Sequence, residues 1–425
     1  MALTLLFVTL IVLLVIGAPV AVSLGLASLV YILIDGLPDV VLAHNMINGI
    51  DSFPLLAIPF FILAGHLMNT AGITTKIFAF ARAMVGWMHG GLGHVNVGAS
   101  VIFAGMSGAA VADAGGLGNI EIKAMRDADY DDEFSVGITA ASSIIGPIIP
   151  PSLPLVIYGV MASVSIGELF AAGLIPGLLM ALSLMIMIAY YAKKRNYPRD
   201  SHFELAVLSH TFKKAILPLL TPVIIIGGVS TGVFTPTESA VAAVMYSLFL
   251  GLVVYKTLTW RHIVRVSMDT IETTAAILMI IASAAVFAWV LTANQVAQHL
   301  GDFLLNLSDN KTVILLIIMV LVLLIGMFME TIAAMTILVP ILIPITTAVG
   351  IDPVHLGIIV VLNLMLGLLT PPVGMVLYVL SDVSGVSFEK CVKSTAPFLI
   401  PLIFVLLLIT FVPEIVLYLP EMFYR

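Results

Sequence analysis

Four polar side chains, Ser107, Asp113, Glu330 and Thr331, sit in otherwise hydrocarbon-like sequence. Ser107 and Asp113 fall in GMSGAAVADAGGLG (105–118), Glu330 and Thr331 in GMFMETIAAM (326–335). Within a membrane an ionised, unpaired carboxylate costs several kcal/mol, so such groups meet a cation, a hydroxyl or water. Small residues as dense as those around Gly108 also let a ligand reach main-chain groups. Each residue has a plainer reading as well. Ser107 could bond to the preceding turn, while Asp113 and Glu330 could cap helix N-termini, where negative charge is favoured.

A proline-paired interruption follows each of these turns. Gly146-Pro147-Ile148-Ile149-Pro150-Pro151-Ser152 recurs 221 residues later as Gly367-Leu368-Leu369-Thr370-Pro371-Pro372-Val373, and Gly105-Met106 recurs at the same offset as Gly326-Met327. Adjacent prolines remove backbone donors and stop a helix. Carbonyls of the first half-helix then lose their partners and present hard oxygens suited to Na+, while the freed N–H groups of the next half suit an anion. The expected Na+ ligands lie at Ser107, Gly146 and Ile149 in the first half, and at Gly326, Glu330, Gly367 and Thr370 in the second. The expected anion contacts are Ser107, Gly108, Asp113, Ser152, Glu330 and Thr331. One interrupted span is most simply a kink, but a matched pair in two apolar halves points to the binding site of a secondary transporter.

The elements that hold these residues are membrane helices. Of the 425 residues, 61% are hydrophobic and 10% charged, against about 25% charged in soluble domains. Mean hydropathy is +1.19, and apolar runs follow one another almost to the end, so the chain is expected to be an all-α polytopic membrane protein. The first 20 residues lack a basic start, the first Lys or Arg being Lys76, and are read as a retained membrane helix. Cys391 is the single cysteine, which excludes an intrachain disulfide and a Cys-rich metal centre.

Basic residues set the expected topology. Lys193, Lys194, Arg195, Arg199, Lys213 and Lys214, then Lys256, Arg261 and Arg265, mark cytoplasmic loops. Working outward, the pair 91–125 enters from and returns to the cytoplasm, and span 134–162 crosses as a broken helix. The pair 312–349 starts and ends outside, and broken span 354–382 descends. Two re-entrant hairpins opening to opposite sides, each followed by a Pro-broken helix, make an inverted-topology repeat. The expected organisation is an N-terminal scaffold and arm (1–50), a first repeat (51–190), a cytoplasmic loop with central scaffold helices (191–270) and a second repeat (271–425). The acidic run Asp127 to Glu133 reads as a solvated loop.

Several activities find no support. The nine histidines show no ligand spacing, and no phosphate-binding Gly-rich loop occurs, so metal catalysis and direct ATP drive are not expected. Gly105-Met106-Ser107-Gly108 matches a short element of rhomboid-type intramembrane serine proteases. A nucleophilic serine needs a nearby base, however, and His299 and His355 lie only near segment ends. A stand-alone anion symporter remains a rival reading.

Taken together, FPLLAIPFFILAGHLM (53–68), GMSGAAVADAGGLG (105–118), IIGPIIPPS (144–152), GVFTPTESAVAAVMY (232–246) and LGLLTPPVGM (366–375) resemble the large membrane subunit of tripartite ATP-independent periplasmic (TRAP) transporters. The resemblance implies a Na+-driven elevator in the bacterial inner membrane, in which a domain bearing both hairpins moves against a fixed scaffold. About two coupling Na+, a small four-helix membrane subunit and a periplasmic substrate-binding protein delivering an organic acid are implied with it. Ser107 and Ser152 match serines of the family's substrate and Na+ region, and Glu330 stands where members often carry an acid. Dicarboxylate-type members typically read Ser-Gly-Ser-Ser-Pro-Ala-Thr at the first turn, whereas this chain reads Ser-Gly-Ala-Ala-Val-Ala-Asp. That departure resembles sialic-acid members and turns the expectation toward sialic acid, with a C4-dicarboxylate or another sugar acid as the alternative.

Overall fold

The computed structural model describes residues 1–200, 202–307 and 310–424, with the side chains of 105–107 and 304–307 outside that description. Helices occupy nearly all of it, and no strand is formed among the described residues beyond an isolated bridge between His89 and Arg199. In chain order they are α1 (Ala2–Val15), α2 (Val20–Ile34), α3 (Val40–Ile50), α4 (Ala57–Thr70), α5 (Ile73–Val85), α6 (Gly91–Ser107), α7 (Ala110–Gly115), α8 (Leu117–Asp127), α9 (Asp132–Ser143), α10 (Leu153–Met161) and α11 (Ile166–Arg195). Then follow α12 (Leu205–Ser230), α13 (Pro236–Phe249), α14 (Trp260–Ala293), α15 (Val296–Leu307), α16 (Lys311–Gly326), α17 (Thr331–Ala348), α18 (Pro353–Gly367), α19 (Met375–Ser384), α20 (Phe388–Phe411) and α21 (Pro413–Phe423). Among the described residues, seven helices are long and apolar enough to cross a membrane.

The offset of 221 governs the architecture. Added to residue numbers, it lays α5 on α15, α6 on α16, α7 with α8 on α17, α9 on α18, α10 on α19 and α11 on α20 (91 + 221 = 312, against Lys311). The helix starts follow from capping. Asp131, Ser152, Glu330 and Asp352 each accept a backbone N–H from the first turn of α9, α10, α17 and α18. The two Pro-Pro bonds, 150–151 and 371–372, are both cis.

Two departures from the expected segments have physical causes. Helix α14 begins at Trp260, ahead of the expected start of the second repeat at 271, because Thr259 and His262 form a reciprocal cap. The boundary drawn at 271 therefore falls inside α14, and the one at 190 falls inside α11. The short amphipathic bars α5 and α15 precede the two turns at matching positions and carry too little continuous apolar sequence to read as spans.

Packing separates two cores. The large one gathers α4 to α14 and α16 to α21, and the smaller one places α1 and α2 against the C-terminal part of α14 through Leu24, Tyr31, Phe287 and Val290. The central pair is placed in a corresponding way, with α13 lying along α4 as α2 lies along α14.

The acidic run is not a free solvated loop. Asp131 accepts from the Phe134 amide (2.8 Å), from Arg195 (2.8 Å) and from the Tyr197 hydroxyl, and Asp132 pairs with Arg126 at 2.6 Å. Burial raises the Asp131 carboxyl, but the hydroxyl, amide and guanidinium together hold it below its ordinary 3.8. Its contribution to stability is therefore complete above the unfolded value and fades as the pH falls through the folded one. Asp131→Ala removes a cap and a tie to α11 and is expected to lower stability by about 1–2 kcal/mol. The thermal midpoint in detergent at pH 7 measures that loss, and the gap between variant and wild type should shrink below about pH 4.

Candidate functional site

The two turns and the two interruptions meet. At the first, Gly108 has φ +60° and abuts the break, since an added Cβ would stand 2.8 Å from the Pro151 carbonyl oxygen and 3.2 Å from the Leu153 nitrogen. Only glycine combines that left-handed conformation with that approach. At the second, the Val373 amide donates to the Met327 carbonyl at 3.2 Å. Gly367 lies directly on Gly326, where a Cβ would fall 2.5–2.7 Å from its backbone C, Cα and O atoms.

One cavity of 250 Å3 joins all four segments, with Gly108 and Pro147 from the first half and Glu330, Thr331 and Leu368 from the second among its lining. Glu330 is half-buried and accepts from the amides of Ile332 (2.8 Å) and Ala333 (3.2 Å). It is thus the N-cap of α17 and a wall of the cavity at once. Thr331 is 2% exposed, and its Oγ1 has no hydrogen-bond partner among the described residues. An orphaned buried hydroxyl in a cavity wall marks a place for a polar ligand.

Asp113 is 2% exposed, and its carboxylate Oδ2 packs against Gly146, which has no side chain to obstruct it. The first helical turn after the tip and the first break are thereby in contact. Ser152 is fully buried; its Oγ accepts from Leu155 N (3.2 Å) and donates to the Pro147 carbonyl. Thr370 Oγ1 donates to the Leu366 carbonyl at 2.7 Å. Both hydroxyls therefore donate to carbonyls beside the breaks, and neither lines the cavity. Ile149 holds its place by packing on Gly177. Ser107 ends α6, and its side chain lies outside the described residues.

Sequence reasoning missed two groups. Asn96 on α6 donates to Thr139 Oγ1 (2.7 Å) and accepts from Ser142 (2.6 Å), a buried polar tie between α6 and α9 just before the break. In α18, Asn363 stands at the position matching Ser142 and donates to the Met319 carbonyl at 2.6 Å. The second group lines a larger cavity of 680 Å3 between α7 and the α4–α14 pair, and includes His66, Asn69, Arg265 and Asp269. Arg265 was read only as a loop marker. Its i, i+4, i+8 spacing with Asp269 and Thr273 on a continuous helix is the signal that would have placed all three on one face.

The chain resembles known permeases over nearly its full length. It is 50% identical to the sialic acid TRAP transporter large permease SiaM of Vibrio cholerae, covering 96% of each chain. Against the sialic acid TRAP transporter permease SiaT of Haemophilus influenzae the identity is 45%, over 96% of this chain and 66% of that one. The C4-dicarboxylate TRAP large permease DctM of Pseudomonas aeruginosa is 39% identical over 94% of each. In fold, the YdaH transporter of Alcanivorax borkumensis superposes with a TM-score of 0.63 at 15% identity, covering 88% of this chain and 87% of that one. These relatives are permeases rather than enzymes, so the Gly-x-Ser-Gly match brings no hydrolase with it. The family model of the DctM component of tripartite ATP-independent periplasmic transporters matches residues 7–415. The chain belongs to that family, the large permeases of TRAP transporters.

Proposed function

We propose that this permease moves an organic acid, sialic acid first among candidates, across the bacterial inner membrane together with about two Na+. The observation that carries the reading is the convergence of both turns and both interruptions on one cavity, with Glu330 and the orphaned Thr331 hydroxyl in its wall. Such a site offers hard oxygens for Na+ and half-helix N–H groups for a carboxylate. Asp113 against Gly146 and the glycine contact of Gly326 with Gly367 hold each turn against its own break around it. Each positive charge crossing a 100 mV potential supplies about 2.3 kcal/mol, so Na+ in excess over the substrate's charge accumulates substrate without ATP.

The two turns are unequally placed, which supports an elevator with re-entrant hairpins. On the second side α17 packs on α14, with Ile337 and Ile341 against the small core. On the first side the 680 Å3 cavity intervenes between α7 and α4. With the basic loops in the cytoplasm, that cavity opens inward. The partners in this reading are a small four-helix membrane subunit and a periplasmic binding protein. Sialic acid is favoured over a C4-dicarboxylate because the sialic acid permeases are more similar, at 50% and 45% against 39% identity.

The test is uptake of radiolabelled sialic acid by proteoliposomes containing this chain and its small subunit. The binding protein is supplied outside, with and without an inward Na+ gradient. Uptake should require both the gradient and the binding protein. Equal uptake with K+ in place of Na+ would remove the coupling. Uptake without the binding protein would favour a stand-alone symporter.

A further inference from the structure

The 680 Å3 cavity has a wall to which nothing above assigns a role. Arg265, Asp269 and Thr273 project from α14 at helical spacing, and Gly65, His66 and Asn69 face them from α4. Arg265 is exposed and has no ion-pair partner among the described residues.

The repeat shows that this polarity is not a packing requirement. At the positions 221 later, His66 becomes Phe287 and Asn69 becomes Val290, both in the small apolar core (66 + 221 = 287; 69 + 221 = 290). Arg265 and Asp269 correspond to the imidazole and amide pair His44 and Asn48 (265 − 221 = 44; 269 − 221 = 48). On the α4 side the fold thus carries an apolar contact in one half and a hydrogen-bonding wall in the other. On the α14 side the second half has the neutral hydrogen-bonded pair His44 and Asn48 where the first has a guanidinium and a carboxylate. The tip cavity, at 250 Å3, is below the usual ligand-pocket range of about 300–1,000 Å3. The larger one lies within that range, and both are lined by Ala109, Val111 and Leu153.

We propose that this wall is a second, release-side station for a polyhydroxylated carboxylate. Its carboxylate lies on the Arg265 guanidinium and its hydroxyls on His66, Asn69 and Asp269, after the substrate has left the tips. The station rests on the transport reading above and locates the last protein contact before the cytoplasm. A planar guanidinium takes a carboxylate in two parallel hydrogen bonds. Asp269, one turn away, repels the same carboxylate and keeps the hold weak, as a point of departure requires.

The experiment measures trans-inhibition in the reconstituted complex, as the lumenal sialic acid concentration that halves Na+-driven uptake. Arg265→Gln should raise that concentration by about tenfold, the loss of a charged bidentate contact, and Arg265→Lys by less. Half-saturation for externally supplied, protein-bound sialic acid should move by less than about twofold. An unchanged lumenal value, or equal changes on both sides, would overturn the station while leaving transport intact. Absence of Na+-dependent uptake of any organic acid by the wild-type complex would overturn the transport reading, and the station with it.

Discussion

Gly367→Ala is expected to abolish most transport while leaving the chain in the membrane. The new methyl would stand 2.5–2.7 Å from backbone atoms of Gly326, and backbone cannot swing aside as a flexible side chain does. Overpacking typically costs about 1–3 kcal/mol, and contact with main chain on both sides puts this case at the upper end. The strain is relieved only by parting the second turn from the second break, which opens the cavity that both line. Since each 1.4 kcal/mol is a factor of about ten, uptake should fall more than about tenfold. Gly227→Ala is the control, because nothing lies within 4 Å of its added methyl. Initial uptake rates normalised to reconstituted protein compare the two. Equal rates would mean that the close approach of the glycines has no part in the cycle.

Glu330→Gln separates two roles that one carboxylate combines. The amide oxygen of glutamine can still accept from Ile332 and Ala333, so the cap of α17 persists and thermal stability should change little. The charge is lost. If Glu330 binds Na+, apparent Na+ affinity should weaken by roughly 30- to 150-fold, matching the about 2–3 kcal/mol of a charged contact. Glu330→Ala should show the same transport defect and, in addition, lose about 1 kcal/mol of stability with the cap. The decisive readout is the Na+ dependence of uptake in the Gln variant. A wild-type dependence would leave Glu330 as a cap alone.

The part of this molecule legible in the sequence was the part governed by main-chain chemistry. Paired prolines fix where a membrane helix must stop, whatever surrounds them, and the recurrence at 221 follows from two such places. Gly108 and Gly367 could be singled out for the same reason, although not the atoms they touch. Side-chain partners were less accessible. Ser152 and Thr370 read as hydroxyl ligands from their place beside the prolines, while the carbonyls to which they donate, Pro147 and Leu366, could not be told from the sequence. Asn96, Thr139 and Ser142 come from helices separated along the chain, and nothing in either segment alone announces the other. Charge misled in one instance: Arg261 and Arg265 suggested a loop, while Thr259 with His262 starts a helix directly beneath them.

In the elevator proposed above, the unequal placement of the two turns specifies the contacts of the opposite state. Residues 331–348 of α17 correspond to 110–127, the full extent of α7 and α8, and the stretch of α14 against which α17 rests corresponds to α4. If the proposed elevator operates through an inverted repeat, exchanging the halves gives the neighbours expected in its outward-facing form. Ile120 should come to lie along His66, as Ile337 and Ile341 now pack on the small core that holds Phe287 and Val290, while Gly116 already stands beside Asn69. Trp289 and its neighbours would meanwhile lose their cover. A chain built as two copies of one plan carries, in each copy, the itinerary of the other.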